Sequence, residues 1–250
     1  MVSLRLSLFS ALSALALQVS SATSGCRCGD RNFLAFPRIN LTSSEPSQCA
    51  AYKMIDARGT MEPQGVSASF QSAIQRLIEN NTQVVSHSVL YPAGFDQNVT
   101  LGVQDVVEQV QNGARACPEQ KYFLFGYSQG ATVMLQALEK LDAERVAAVV
   151  LVGNPYRLPG RLSNVDGERR SDNRTAVGTF AVEAKKTNAS IPVIADDLDR
   201  SGKVKDICLD NDTVCAFDPA CKCQIASDHL SYGLMESVQD LIFDHVVSRF

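Results

Sequence analysis

The segment Gly126-Tyr127-Ser128-Gln129-Gly130 is the first part of the chain whose residue types and spacing could perform chemistry. It follows a short apolar run and precedes a helix-forming stretch, which predicts a strand that turns sharply into a helix. Such a turn holds a serine hydroxyl at the edge of a sheet, beside the positive end of the helix. It needs glycines on either side, because a Cβ there would collide with a neighbouring strand or helix. We predict that Ser128 is a nucleophile; the alternative is a tight turn that holds a serine by chance.

A serine nucleophile needs a base to remove its proton, and the chain offers three histidines. His87 precedes the serine inside an apolar run, whereas this strand topology brings the acid and then the histidine after the nucleophile. His245 lies on the apolar stripe of the last predicted helix, which favours a packed structural side chain. His229 lies on a loop just ahead of that helix. We predict that His229 is the general base.

Several aspartates between the serine and His229 could orient the base. They are Asp206, Asp210, Asp212, Asp218 and Asp228. Asp212 is preferred because a disulfide between Cys208 and Cys215 would hold it in a small rigid loop beyond the last strand. An orienting carboxylate benefits from such a clamp, since a small misplacement costs a large factor in rate. Asp210 is the second choice, and a solvated loop acid is the alternative for either residue.

The elements that must position these residues alternate between strands and helices. Apolar runs predict strands at Ala51–Ile55, Val84–Leu90, Tyr122–Phe125, Val146–Val152 and Val204–Ile207. Between and after them, apolar residues recur at helical spacing. This order predicts a three-layer α/β/α fold around a mostly parallel five-stranded sheet. Residues 157–202 are long and polar, and we interpret them as a functional or mobile loop.

The N-terminal segment and the composition indicate a secreted protein. Residues 1–22 contain Arg5, an apolar stretch over 6–19 and then small residues, which is the layout of a secretory signal. We expect residues 23–250 to form a single domain outside the cell, without a membrane anchor, because no later apolar run approaches the roughly 20 residues that a spanning helix needs. The net charge of -4 argues against a nucleic-acid partner. We expect a monomer.

The glycosylation sequons and the cysteine content agree with secretion. Asn-x-Ser/Thr sequons, typical of secreted glycoproteins, occur at Asn40, Asn80, Asn98, Asn173, Asn188 and Asn211. The eight cysteines indicate disulfides in an oxidising compartment. Zinc is the alternative for Cys26-x-Cys28 and Cys221-x-Cys223, but their spacing is tighter than usual and no histidine clusters with them. We therefore expect neither a metal nor a cofactor.

Four segments together resemble the cutinase family of secreted serine esterases, in particular its fungal cutinase-like branch. They are Ala57-Arg58-Gly59-Thr60-Met61-Glu62-Pro63-Gln64-Gly65, the glycine-flanked serine, Cys208-x-x-x-Asp212-x-Val-Cys215 and His229-Leu-Ser-Tyr232. The resemblance runs from about Cys49 to the last residue and implies an α/β-hydrolase fold. It implies that Ser128, Asp212 and His229 are nucleophile, orienting acid and general base, which the residues themselves also favour.

The resemblance adds an oxyanion hole and two disulfides. It implies that the backbone N–H groups of Thr60 and Gln129 point at the developing oxyanion, where each fixed donor can be worth about 3 kcal/mol. It also implies the pairs Cys49–Cys117 and Cys208–Cys215. A disulfide within Cys-x-Cys would close a strained ring. Our hypothesis is therefore that Cys26 and Cys28 bridge Cys221 and Cys223, tying the N-terminal arm to the loop that carries His229.

A serine, a histidine and an aspartate beside an oxyanion hole transfer an acyl group to water through a covalent acyl-enzyme. Ile225 and Leu230 flank His229 and fall where the family's apolar binding loops lie. The resemblance thus implies that the substrates are short to medium acyl esters, with cutin and aliphatic polyesters as polymeric substrates. For Ile225 and Leu230, plain core packing is the alternative role. One rival is acetylxylan esterase, although no tryptophan is available to stack on sugar rings. Another is a non-catalytic secreted protein, which would have no reason to retain these residues.

Overall fold

The computed structural model describes residues 26–29 and 49–250, so the predicted signal segment 1–22 and the sequon at Asn40 lie outside the described residues. Six strands form the central sheet: β1 Tyr52–Ala57, β2 Val84–Ser88, β3 Lys121–Tyr127, β4 Val146–Val152, β5 Asn164–Val165 and β6 Val204–Ile207. Their order is β2-β1-β3-β4-β6-β5, and all neighbouring strands are parallel. The central strands β3 and β4 are apolar almost throughout because both of their faces are buried.

Helices cover both faces of this sheet. They are α1 Gln71–Asn80, α2 Thr100–Ala116, α3 Gln129–Leu138, α4 Thr179–Thr187, α5 Asp196–Arg200 and α6 Glu236–Val247. One face packs on α2, α3 and α5, and the other packs on α1 and α6. Alternate residues of a strand point to opposite faces, so Leu124 joins the first core while Phe123 and Phe125 join the second. The predicted three-layer α/β/α fold is confirmed.

Two expectations about the elements were wrong. The sheet has six strands rather than five, and residues 157–202 are not one loop, because they contain β5, α4 and α5. With two residues, β5 is too short to show the alternation of buried and exposed side chains that marks a strand. Helix α4 buries only Ala181 and Ala184, so α4 has no apolar stripe. Across the described ranges, no helix is both long enough and apolar enough to cross a membrane.

The parallel sheet brings distant parts of the sequence to one edge. The segments that leave the carboxyl ends of β1, β3, β4 and β6 carry Thr60, Ser128, Gly153 and Asp212, respectively. In open α/β sheets this edge is where ligands bind. The fold therefore gathers Thr60, Ser128 and Asp212, which the sequence analysis singled out, and adds Gly153 to them.

Candidate active site

Ser128 lies at the junction of β3 and α3 with a strained backbone. Its φ of 53° and ψ of -117° are rare for a residue with a side chain. The Ser128 N–H donates to the Val152 carbonyl oxygen at 2.9 Å, and the Ser128 carbonyl oxygen accepts from Ala131 N–H at 2.9 Å. A Cβ on Gly126 would lie 2.5 Å from the Gly130 carbonyl oxygen. The two glycines therefore let the strand and the helix approach closely enough to hold the turn.

Ser128, His229 and Asp212 form one line of hydrogen bonds. The Ser128 Oγ lies 2.9 Å from His229 Nε2, and His229 Nδ1 lies 2.9 Å from each carboxylate oxygen of Asp212. Both His229 and Asp212 are buried. Because Asp212 can only accept, the network favours the tautomer in which Nδ1–H donates to Asp212 and Nε2 accepts from the serine hydroxyl. This tautomer leaves Nε2 free to take the serine proton.

The imidazole of His229 is held between its neighbours Tyr127 and Gly153. The Tyr127 ring stacks on it with 5.1 Å between ring centroids, and the Tyr127 hydroxyl donates to the His229 carbonyl oxygen at 2.7 Å. Gly153 has a φ of 60°, and a Cβ there would lie 2.7 Å from His229 Cε1. Sequence reasoning missed both residues. Their position at the carboxyl ends of β3 and β4 is the signal that could have found them.

Asp212 sits among hydrogen-bond donors. Besides the imidazole, the Tyr232 hydroxyl donates to it at 2.5 Å and Val214 N–H donates at 2.8 Å. Burial alone would raise the pKa of Asp212, but the charge on His229 and these hydrogen bonds together lower it below the ordinary value. Asp212 is therefore suited to stay ionised beside His229.

The other aspartates have different partners. Asp210 is exposed and pairs with Arg174 at 3.0 Å, while Asp228 accepts from Asn211 at 3.1 Å. Asp206 is buried and accepts from Asn154 at 2.8 Å, and burial raises its pKa to about 6. Asp218 accepts from the backbone N–H of Ala220. None of these four described residues bonds to the His229 ring.

The two remaining histidines lie away from Ser128. His87 on β2 bonds to Asp105, with 2.8 Å between Nε2 and Oδ2. His245 on α6 is buried, and its Nε2 bonds to the Lys203 carbonyl oxygen at 3.0 Å. Burial lowers the pKa of His245 to about 4, so its ring is neutral at neutral pH. These contacts agree with structural roles for both.

The loop after β2 contacts both predicted oxyanion residues. Gln97 Nε2 donates to Thr60 Oγ1 at 3.0 Å, and Gln129 Nε2 donates to the Gly94 carbonyl oxygen at 3.1 Å. Gln129 is the first residue of α3, where the backbone N–H has no acceptor within the helix. Sequence reasoning did not single out Gln97 or Gly94, because nothing in their spacing marks them.

The N-terminal arm, residues 26–29, is tied to the segment that precedes His229. The disulfides are Cys26–Cys221, Cys28–Cys223, Cys49–Cys117 and Cys208–Cys215. Backbone hydrogen bonds reinforce the first two, from Ser227 N–H to Arg27 O at 2.7 Å and from Gly29 N–H to Ile225 O at 3.0 Å. The sulfurs of Cys26, Cys221 and Cys223 lie within 4.8 Å of one another. Because all are in disulfides, they do not offer the thiolates that zinc binds.

Ile225 and Leu230 are both partly exposed and both contact this arm. The Ile225 carbonyl oxygen accepts from Gly29 N–H, and a Cβ on Gly29 would lie 2.5 Å from Leu230 Cδ1. The contact of Leu230 with the arm agrees with the packing alternative and leaves its other surface open. A role of either residue in substrate binding stays a prediction.

This chain is similar to several known proteins, and these similarities agree with one another. A family model described as Cutinase matches residues 48–250. The cutinase cut1 of Trichoderma harzianum is 32% identical over 138 residues, which cover 51% of this chain and 55% of that protein. A solved cutinase-like protein from Cryptococcus sp. has a TM-score of 0.69 at 31% identity, covering 81% of this chain and 96% of that one.

The catalytic core domain of acetyl xylan esterase from Trichoderma reesei has a TM-score of 0.62 at 21% identity, covering 81% of this chain and 100% of that one. At this identity the likeness is one of fold alone. The chain spans about half the length of the curated relatives it matches.

Proposed function

The chain belongs to the cutinase family, and on that premise we propose that it is a secreted serine esterase that hydrolyses carboxylic ester bonds. One observation carries the proposal: the hydroxyl of Ser128, the ring of His229 and the carboxylate of Asp212 are hydrogen bonded in series at the carboxyl edge of the sheet. The chemistry of this arrangement is acyl transfer.

In the proposed mechanism, His229 Nε2 takes the proton of Ser128 as Oγ attacks the ester carbonyl carbon. The carbonyl oxygen becomes an oxyanion, which accepts hydrogen bonds from the backbone N–H groups of Thr60 and Gln129. Asp212 stabilises the imidazolium. His229 then protonates the departing alkoxide, and the C–O bond of the ester breaks to leave an acyl-enzyme on Ser128.

Water completes the reaction in the same site. His229 removes a proton from a water molecule, whose oxygen attacks the acyl carbon and regenerates the oxyanion. When this intermediate collapses, His229 returns a proton to Ser128 Oγ and the carboxylic acid leaves. Each turnover therefore consumes one ester and one water and restores the enzyme.

The substrates we propose are short to medium acyl esters and polymeric aliphatic esters such as cutin. Two exposed apolar side chains near the oxyanion segment support this, since Met61 is 46% exposed and Phe95 is 73% exposed. Such side chains suit an apolar chain better than a sugar polymer. Ile225 and Leu230 would bound the acyl pocket on the side of His229.

The same proposal includes three further properties: the protein is secreted, residues 23–250 form a single domain, and the protein is a monomer. Four disulfides among the described residues support folding in an oxidising compartment. A signal at 1–22 would direct the chain there.

A fluorophosphonate probe tests the proposal, because it reacts with an activated serine and not with an ordinary one. We expect labelling of the native protein at Ser128, located by mass spectrometry of the digest, and none in Ser128→Ala. The same variant should lower ester turnover by about 10⁶, by analogy with other triads. An unlabelled native protein would contradict the esterase function.

A substrate panel then separates the ester classes. Hydrolysis of acetate, butyrate and palmitate esters, a polyester film and acetylated xylan would be compared at equal enzyme concentration. We expect activity on the simple esters and the film. A preference for acetylated xylan would instead favour acetylxylan esterase.

A further inference from the structure

A buried carboxylate outside the Ser128–His229–Asp212 line contacts the segment that carries Thr60. Glu62 is 4% exposed. Its Oε2 accepts from Gly59 N–H at 2.6 Å and from the Ser67 hydroxyl at 2.8 Å, and its Oε1 accepts from Ala68 N–H at 2.9 Å. The mechanism above assigns this side chain no role.

The direction of these hydrogen bonds requires a group that only accepts. Ser67 Oγ itself accepts from Ser69 N–H at 3.2 Å, so the proton of its hydroxyl is directed to Glu62. Two backbone N–H groups and one hydroxyl therefore point at the two oxygens of Glu62. An ionised carboxylate satisfies all three donors, whereas an amide would turn an NH₂ group towards at least one of them.

Glu62 holds both peptide groups that flank the Gly59 Cα. Its side chain accepts from Gly59 N–H, which belongs to the peptide before that Cα. Its backbone N–H donates to Gly59 O at 3.2 Å, and this oxygen belongs to the same planar peptide as Thr60 N–H. The carboxylate fixes residue 62 against Gly59, so that its backbone N–H holds the carbonyl end of that peptide and with it the direction of the N–H at the other end.

The neighbours of Gly59 explain why this peptide needs support. A Cβ on Gly59 would lie 2.7 Å from the Tyr127 ring and 3.4 Å from Ser128 Cβ, so only glycine fits beside the nucleophile. Glycine is also the residue whose backbone is least restricted. The hydrogen bonds of Glu62 restrict the backbone of Gly59 in place of the side chain that glycine lacks. Arg58 Nε donates to the Glu62 carbonyl oxygen at 2.7 Å and so holds Glu62 in place.

We propose that Glu62 is a positioning residue that aims Thr60 N–H at the oxyanion during ester hydrolysis. The proposal rests on the esterase function above and deepens it. In this role Glu62 acts through the backbone at Gly59 rather than on the substrate. Glu62 should therefore stabilise the transition state and not the bound substrate, because the oxyanion develops only as the transition state is approached.

The variant Glu62→Gln tests this role, since it keeps the shape and removes the acceptor-only character. We expect kcat for a soluble butyrate ester to fall about 10- to 100-fold, part of the loss seen when one oxyanion donor is removed. KM should stay within about twofold, as for an interaction made only in the transition state. The rate of fluorophosphonate labelling should fall with kcat, because the phosphonyl oxygen uses the same hole.

Two further variants separate positioning from general damage. Glu79→Gln removes a carboxylate from the exposed end of α1 and should leave kcat unchanged. Glu62→Asp keeps the charge but withdraws it by one methylene, so it should lose less kcat than Glu62→Gln. If Glu62→Gln does not fold, Glu62→Asp must still lower kcat at constant KM.

A folded Glu62→Gln or Glu62→Asp protein with the kcat of the native chain would overturn the positioning role. A raised KM at unchanged kcat would overturn it too, because that result assigns Glu62 to substrate binding. A native chain that hydrolyses no ester would contradict the proposed function itself, and the positioning role would fall with it.

Discussion

At the residue scale, aspartates close in sequence differ in the groups that the fold places around their carboxylates. Asp210 and Asp212 are two positions apart, yet one is exposed and pairs with Arg174 while the other is buried against His229. The sequence predicted Asp212 through its disulfide loop. It could not predict the Tyr232 hydroxyl that completes the acceptor sites of Asp212, because that contact depends on how the 3₁₀ turn at Tyr232–Leu234 packs.

Asp56 should make stability depend on pH. This residue at the end of β1 is buried, and burial is the main cause that raises its pKa to about 7; the charge on Glu62 adds to the rise, and hydrogen bonds from Ser67 and Ser88 oppose it. An unfolded aspartate titrates near pH 4. The folded protein therefore binds the extra proton between about pH 4 and 7, and the contribution of Asp56 to stability is lost as pH rises through this window.

The variant Asp56→Asn should remove that contribution, because an amide does not titrate. We expect the free energy of unfolding, measured by urea denaturation from pH 4 to 8, to fall less steeply in the variant than in the native chain. Other buried acids such as Asp206 titrate in both proteins, so the difference isolates Asp56. Parallel curves would show that Asp56 does not titrate in this range.

At the element scale, most of the architecture follows from hydrophobic periodicity. The five longer strands and helices α1, α2, α3 and α6 have apolar patterns that the sequence displays, and their existence was predicted. The elements within residues 157–202 were not, since β5 is two residues long and α5 is short and acidic. Turns at the strand ends carry the site, and there the contacts of Gln97 and Gly153 depend on tertiary packing rather than on spacing.

Gly153 at the end of β4 gives a prediction for an element. Gly153→Ala should lower kcat by about 100-fold, because a displaced base costs heavily, and the new Cβ would press on the ring of His229. Gly160→Ala is the matched control: its φ of 76° is also strained for alanine, but nothing lies within 4 Å of the added Cβ. Both variants should lose about 1–3 kcal/mol of stability from backbone strain, and Gly153→Ala should lose more because its Cβ also meets the imidazole.

Steady-state kinetics and thermal unfolding of the two variants check this. The expected pattern is a lower melting temperature in both variants, lowest in Gly153→Ala, and a large fall in kcat in Gly153→Ala alone. Equal kcat values would mean that His229 does not rest against Gly153 in the active enzyme.

At the scale of the whole molecule, two disulfides join the arm at 26–29 to residues 221–223, across a sequence separation of 195. The hypothesis that these two Cys-x-Cys pairs bridge each other matches the pairing in the structure. In the chain-entropy account, the first bridge closes a very long loop and the second closes only a few more residues. Either bridge alone therefore retains most of the constraint.

Removing these disulfides should be strongly non-additive. Replacing Cys26 and Cys221 with serine should lower the free energy of unfolding by about 2 kcal/mol, as expected for closing a loop of a few residues. Replacing all four cysteines should lower it by more than twice that amount, and kcat should also fall because the arm supports the segment before His229. Urea denaturation and ester kinetics of the native chain, of each variant that lacks one of the two bridges and of the variant that lacks both measure these effects. Additive losses would contradict the account.

The backbone of Ser128 has a further consequence for how such a chain changes over time. At a φ of 53° a serine is strained and a glycine is not. Selection for stability alone would therefore favour replacing Ser128, the nucleophile of the proposed reaction. Among natural variants of this chain, the opposition between stability and activity should be sharpest at this position, and consensus substitutions chosen to raise the melting temperature should avoid it.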